Sequence, residues 1–216
     1  MKTSRLFFEH LAVEWDNRQP PERQAKLDRL LSRFDVYIQT ANLVLEVGTG
    51  TGGLIPLLKK RYPKPRFIQI DFANSMLLRA QENHHGDHLV QADVHELPFP
   101  DRKFSVVICH NSFPHFIEKV IALKEMRHVL QLGGILLILH ELSREKVNYI
   151  HQHALAEEIH QDLLPSGEEI KKLFQQAEFF PEIIEDFEDH YAVCARTQMK
   201  IVSSLIKKNQ SRQGSG

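Results

Sequence analysis

The sequence predicts one α/β domain built on a mostly parallel sheet with helices on both faces. Three observations lead there. Short apolar runs alternate with amphipathic stretches through most of the chain. Runs such as Leu43-Val44-Leu45 and residues 135–139 are nearly continuous in apolar residues, as strands covered on both faces are. A glycine-rich turn, Gly48-Thr49-Gly50-Thr51-Gly52, directly follows the first run. The 216 residues suffice for one such domain with a full core.

The elements follow in order. Phe7, Phe8, Leu11, Ala12 and Trp15 form an aromatic helical leader. Pro20-Pro21 opens a second helix, where proline is tolerated, with Leu27, Leu30, Leu31 and Phe34 on one face. The first strand covers 43–47. Helix 54–62 carries Lys59, Lys60 and Arg61 in its last turn, where the dipole favours cations, and Pro63 and Pro65 end it. Strand 67–70, helix 75–83, strand 88–91, strand 104–109 and helix 116–130 come next, with a polar surface loop at His84-His85-Gly86. Gly133-Gly134 separates that last helix from strand 135–140. A polar helix spans 144–160 and another 166–177. Strands 182–187 and 191–196 are linked tightly through Glu188-Asp189, which suits an antiparallel hairpin. The polar Gly/Ser-rich tail from Asn209 is expected to be disordered.

Composition removes several function classes. With 27 basic and 28 acidic residues, nothing favours a bulk polyanion, so no nucleic-acid partner is expected. The longest apolar run, 135–139, is far too short to span a bilayer, and no signal-peptide pattern opens the chain, so no membrane partner is expected. Two cysteines, Cys109 and Cys194, make neither a disulfide framework nor a thiolate metal cluster and suit a reducing, cytoplasmic setting.

In such a sheet ligands sit beyond the C-terminal strand ends, at the switch point beside the first strand. Residues 46–52, Asp71, Asp93, Cys109 to Asn111 and His140 all lie there. Glycines in the turn let backbone N–H groups approach a ligand. Asp71 is placed to accept ribose hydroxyls and Asp93 an exocyclic amine, with Phe72, Met76 and Leu77 as apolar surface for a purine. Glu46 opposes a pyrophosphate by charge and suits a ligand bearing an amino group or a cation, which favours S-adenosylmethionine over NAD or FAD. A cap on the next helix, or a lysine pair, is its structural alternative.

Four runs, VLEVGTGTG at 44–52, IDFANSML at 70–77, QADVHELPFPDRKFSVVICHNSFPHF at 91–116 and RHVLQLGGILLI at 127–138, resemble the class I S-adenosylmethionine-dependent methyltransferases. The resemblance covers most of residues 40–140. It implies a Rossmann-like seven-stranded sheet in the order 3-2-1-4-5-7-6, the last strand antiparallel. Residues 1–40 become an N-terminal helical lid, 41–200 the methyltransferase domain and 201–216 a tail. It further implies S-adenosyl-L-methionine as cofactor, leaving as S-adenosyl-L-homocysteine, held by Glu46, Gly48, Thr49, Gly50, Gly52, Asp71, Phe72, Met76, Asp93, Val94 and His110. Phe8 and Trp15 match the leader that closes over the site in the small-molecule branch. Gln131-Leu132 stands where the family has a proline, and no Asn/Asp-Pro-Pro-Tyr-type motif follows the fourth strand, which disfavours a base or a glutamine amide as acceptor.

Methyl transfer from a sulfonium needs mainly alignment and exclusion of water, so a catalytic base is optional. The chain has 13 histidines, and His110, His115, His140 and His151 fall near the expected acceptor side. With Ser143, Arg144 and Asn148 they suggest a His-rich acceptor pocket. His110 and His140 are the candidate catalytic groups, for positioning or as base. His115, His140, Arg144, Asn148 and His151 join Phe8 and Trp15 as candidate acceptor contacts, and His110, His140 and His151 are possible metal ligands. The expected acceptor is a small molecule shaped by residues 141–165, and the protein a monomer or homodimer. Two rivals stay open. One is an NAD-dependent oxidoreductase, although Tyr149 has no lysine four residues on. The other is a metal-binding protein on the same fold.

Overall fold

The computed structural model describes residues 2–18, 22–84 and 88–199. The expected helix start at Pro20-Pro21, the loop at His85-Gly86 and the tail lie outside them. Among the described residues seven strands form one sheet: β1 (Leu43–Val47), β2 (Arg66–Asp71), β3 (Leu89–Gln91), β4 (Phe104–His110), β5 (Leu130–His140), β6 (Phe180–Asp186) and β7 (Tyr191–Arg196). Their order is β3-β2-β1-β4-β5-β7-β6, as expected. All neighbours are parallel except β7, which runs antiparallel to both β5 and β6.

The apolar runs are buried on both faces because alternate residues point to opposite sides of the sheet. Leu45, Val107, Cys109, Leu136 and Ile138 pack on one face with Leu123, Met126, Ile170 and Phe174. Val44, Val106, Ile108, Leu137 and Leu139 pack on the other with Leu27, Leu31, Phe34, Ile38 and Leu58. The helices are α1 (Lys2–Leu11), α2 (Arg23–Ser32), α3 (Asp35–Ile38), α4 (Ile55–Arg61), α5 (Asn74–His84), α6 (Lys119–Val129), α7 (Arg144–Gln152) and α8 (Gly167–Gln176). The apolar face of α2 and α3 therefore belongs to the sheet's own core. Arg61 ties them to α4 through two bonds to Asp35, at 2.8 and 2.7 Å, and one to Asp28 at 2.8 Å. Among the described residues no helix is long and apolar enough to cross a membrane.

Two boundaries differ from expectation. The glycine pair lies inside β5, not before it. Gly133 takes φ +75°, and a Cβ on Gly134 would sit 2.8 Å from the Gln131 carbonyl. The pair makes an irregularity where β4 residues 104 and 106 face β5 residues 130 and 135. The helix expected over 144–160 stops at Gln152. Asn148 exchanges two hydrogen bonds with the Leu164 backbone, at 3.1 and 2.8 Å, and the His151 ring bonds the Asp162 carbonyl. The chain must fold back to make these bonds, leaving one short turn at Glu157–Ile159.

Candidate active site

A cavity of about 470 Å³ opens at the C-terminal ends of β1, β2 and β4. The turn after β1 is shaped by close contacts. Gly48 takes φ +73°, and a Cβ there would lie 2.4 Å from Ser112 Cβ. Ser112 Oγ donates to the Val47 carbonyl at 2.7 Å. The turn's amides point inward, against expectation: Gly48 and Thr49 N–H both donate to Ile70 O at 2.9 Å, and Gly52 N–H to Thr49 O at 3.0 Å. Gly50 N–H donates to Asp71 Oδ2 at 2.8 Å. A Cβ on Gly50 would approach only Trp15 Nε1, at 3.9 Å, so the space above this residue is open to the leader.

Among the described residues, two polar atoms at this turn lack partners, Glu46 Oε2 and Thr49 Oγ1. Thr49 lines the cavity; Glu46 sits behind the wall, 1% exposed. Burial raises the Glu46 carboxyl to about 8, helped by the Asp71 charge and opposed by Thr49 and Arg23. Burial likewise raises Asp71 to about 6, against the amides of Ala73 and Gly50 that bond it.

The other sequence-derived cofactor residues fall as follows. Gly48, Gly50, Asp71, Phe72, Met76, Asp93, Val94 and His110 line the cavity, and Gly52 does not. Asp93 Oδ1 turns to His95, accepting from its backbone N–H at 2.9 Å and from Nδ1 at 2.6 Å. Phe8 and Trp15 close the wall from the leader. The leader is latched at two points. Glu9 accepts from the amides of Asn74 and Ser75 at the start of α5, at 2.9 and 2.7 Å. Asp16 accepts from Thr51 Oγ1 at 2.5 Å and Asn83 Nδ2 at 2.7 Å.

The four histidines do not gather on one rim. His110 lines the cavity and its Nε2 meets Glu141 Oε2 at 2.7 Å. His140, the other candidate catalytic group, is 2% exposed in the core beside Tyr191, outside the cavity wall, with Nε2 unpaired. Burial and the nearby His110 lower it to about 3, so it takes no proton at neutral pH. The reason is the pleat, which sends His140 to the face opposite His110. Arg144 points away to Asp186, at 2.8 Å, and Asn148 serves the Leu164 backbone. His151 stands behind His115, ring centroids 4.9 Å apart, and does not reach the wall. His115 does line it. Among the described residues no group of three His, Cys, Asp or Glu side chains is placed to hold a metal ion.

Three side chains were missed. Arg23 lines the cavity and donates to Glu141 Oε1 at 2.8 Å. Glu141 also accepts from Asn111 at 3.0 Å. Burial pushes Glu141 up, but His110 and Arg23 outweigh it and hold the carboxyl well below the usual range. Asp162 meets His115 at 2.7 Å. Only Glu141 carried a signal, its place directly after the end of β5.

The profile of the methyltransferase domain family matches residues 45–138. A demethylmenaquinone methyltransferase of Thermotoga maritima is 34% identical over 96 residues, 44% of this chain and 42% of that one. A malonyl-[acyl-carrier protein] O-methyltransferase of Halorhodospira halophila is 30% identical over 148 residues, 64% of this chain and 50% of that one. The chain thus spans about half the length of the curated relatives it matches. A SAM-dependent methyltransferase structure from Aquifex aeolicus superposes with TM-score 0.67 at 19% identity, covering 86% of this chain and 97% of that one; at this identity it speaks for the fold alone. Residues 45–138 thus match a methyltransferase domain, and the sheet that carries them has the strand order expected of the class I S-adenosyl-L-methionine-dependent methyltransferases.

Proposed function

We propose that the protein transfers a methyl group from S-adenosylmethionine to a small-molecule acceptor in the cavity under the leader. The observation that carries this is the polarity of the turn after β1. Its amides at 48, 49, 50 and 52 are spent on protein acceptors, while among the described residues an oxygen of the buried Glu46 carboxyl and the Thr49 hydroxyl are left unpaired. A pyrophosphate would find no free donors among those four, whereas Glu46, neutral until it ionises near pH 8, can give up its proton to face a cation. A donor with an ammonium and a sulfonium is matched by the acidic residues, and Asp71 keeps lone pairs for ribose hydroxyls. The NAD reading is correspondingly disfavoured.

Bound there, S-adenosylmethionine supplies a methyl group that is already activated, since its departure leaves a neutral thioether. The chain's part is to orient and to exclude water. Phe72, Met76 and Val94 form apolar wall for a purine. Phe8 and Trp15, held by the Glu9 and Asp16 latches, cover the opening. Alignment of this kind lowers a barrier by about 7–11 kcal/mol. The relatives named above act, by their names, on demethylmenaquinone and on a malonyl group of acyl-carrier protein. The aromatic cavity of modest volume supports a small acceptor.

A thermal-shift pair tests the proposal. At a hundredfold excess over Kd, S-adenosylhomocysteine stabilises by about 2.7 kcal/mol. For a chain of this size that raises Tm by roughly 5–10 °C. NAD is expected to leave Tm unchanged. A shift with NAD and none with S-adenosylhomocysteine overturns the proposal.

A further inference from the structure

Asp162 lies between α7 and α8, in the segment whose length had suggested an acceptor wall. Its backbone is pinned: the His151 ring bonds its carbonyl, and Asn148 holds Leu164 two residues on. Its Oδ2 meets His115 Nδ1 at 2.7 Å, with both side chains less than 15% exposed. A carboxylate only accepts, so Nδ1 donates and Nε2 carries the lone pair. His115 lines the cavity, and among the described residues nothing bonds its Nε2. The Asp162 carboxylate has no other hydrogen-bond partner among them either, so its charge is directed at this one ring.

The second histidine–carboxylate pair differs. Glu141 is shared among His110, Arg23 and Asn111, and Arg23 neutralises it. That pair is an anchor between α2 and the ends of β4 and β5. The neighbours of the His115 pair are set for proton acceptance. From α7, His151 is held low by burial. From α6, Lys119 is lowered by burial and drawn back up by the Asp162 charge. His140, in the core, is held neutral. From α1, the Phe8 ring stands T-shaped to His115 at 4.9 Å and tilted to Phe72 at 5.8 Å, giving apolar aromatic wall beside the imidazole.

We propose that His115 is the general base of the reaction, oriented by Asp162, and that the acceptor carries an acidic hydroxyl on a flat apolar skeleton, a phenol or a fixed enol. This rests on the methyl-transfer reading above. The hydroxyl proton passes to Nε2, and the oxygen's electron pair forms the new O–CH₃ bond. The S–CH₃ bond breaks with its pair on sulfur, and the imidazolium then gives its proton to water. A carboxylate acceptor is already ionised, has no proton to give, and would face the Asp162 charge. His115 is thus the catalytic residue and Asp162 a positioning residue.

The probe is 4-nitrophenol, whose ionised form has its own absorption band and whose acidity lies close to that of an imidazolium. It is titrated into protein loaded with S-adenosylhomocysteine, so that no turnover is needed. At pH 6, where the free phenol is mostly neutral, wild type is expected to bind it as phenolate, and His115→Gln as neutral phenol. Asp162→Asn moves the pH of phenolate formation upward. Both variants still bind S-adenosylhomocysteine, which shows that they are folded. With S-adenosylmethionine, methylation of 4-nitrophenol falls about 10²- to 10⁴-fold in His115→Gln. Phenolate retained in His115→Gln at pH 6 overturns the inference. So does neutral binding by wild type, or no phenol binding by protein that does hold S-adenosylhomocysteine. Failure of wild type to bind S-adenosylhomocysteine overturns the methyl-transfer reading instead.

Discussion

Replacing Glu46 by glutamine is expected to stabilise the protein while weakening its hold on the cofactor. Burial raises the Glu46 carboxyl from the usual 4.5 to about 8, and Oε2 has no partner. A carboxyl raised in the folded state keeps its proton where the unfolded chain has lost it. Its contribution is therefore fully present below pH 4.5 and falls by about 1.4 kcal/mol per pH unit until pH 8. At pH 7 the accumulated loss is on the order of 3 kcal/mol. Glu46→Gln removes that slope, so at pH 7 it should melt roughly 6–12 °C above wild type, and near pH 4.5 together with it. Binding reverses the advantage. An ammonium or sulfonium near Glu46 favours its ionised form, so S-adenosylhomocysteine should drive off about 0.9 proton at pH 7. Calorimetry in two buffers of different ionisation heat reads this number directly. Equal pH slopes of Tm in the two proteins, or full affinity with the same proton release in Glu46→Gln, would refute the reasoning.

Two further substitutions test the frame around the site. Gly48→Ala puts a Cβ 2.4 Å from Ser112 Cβ at φ +73°. It should cost at least about 1–3 kcal/mol in urea unfolding, and adding Ser112→Gly should recover the clash but not the backbone strain. Glu141→Ala leaves Arg23 and His110 buried without their partner. A loss of about 3–5 kcal/mol is expected, and a loss below about 1 kcal/mol would mean that water replaces the carboxylate.

The strands of the sheet were readable because burial on both faces makes local apolar runs, and burial needs no knowledge of the partner. Boundaries set by distant contacts were not. Leu130 reads as the end of a helix, yet it pairs with Phe104 across the sheet. The stop at Gln152 depends on Asn148 meeting Leu164, which no local pattern announces. The place of the cavity followed from a rule about strand ends, and most of the residues which that rule picks line its wall.

The same rule misplaced His140, because a strand end fixes height in the sheet but not the face. Parity decides the face. His110 has the parity of Val106 and Ile108, which pack against α2, and it sits opposite Leu139 in register. Glu141 shares the parity of Leu139, so it meets His110 and Arg23, whereas His140 follows Leu136 and Ile138 to the other face and Tyr191. Counting in twos along two neighbouring strands would thus have picked Glu141 over His140 before any coordinates. No such count reaches Asp162. Its approach to His115 joins residues 47 positions apart through a loop whose path is set by the bonds of Asn148 and His151. On the proposed reading, the cofactor half of this site is therefore written in the sheet and the acceptor half in tertiary contacts. On this account, substitutions between α7 and α8 should change which acceptor is used more readily than whether the donor binds.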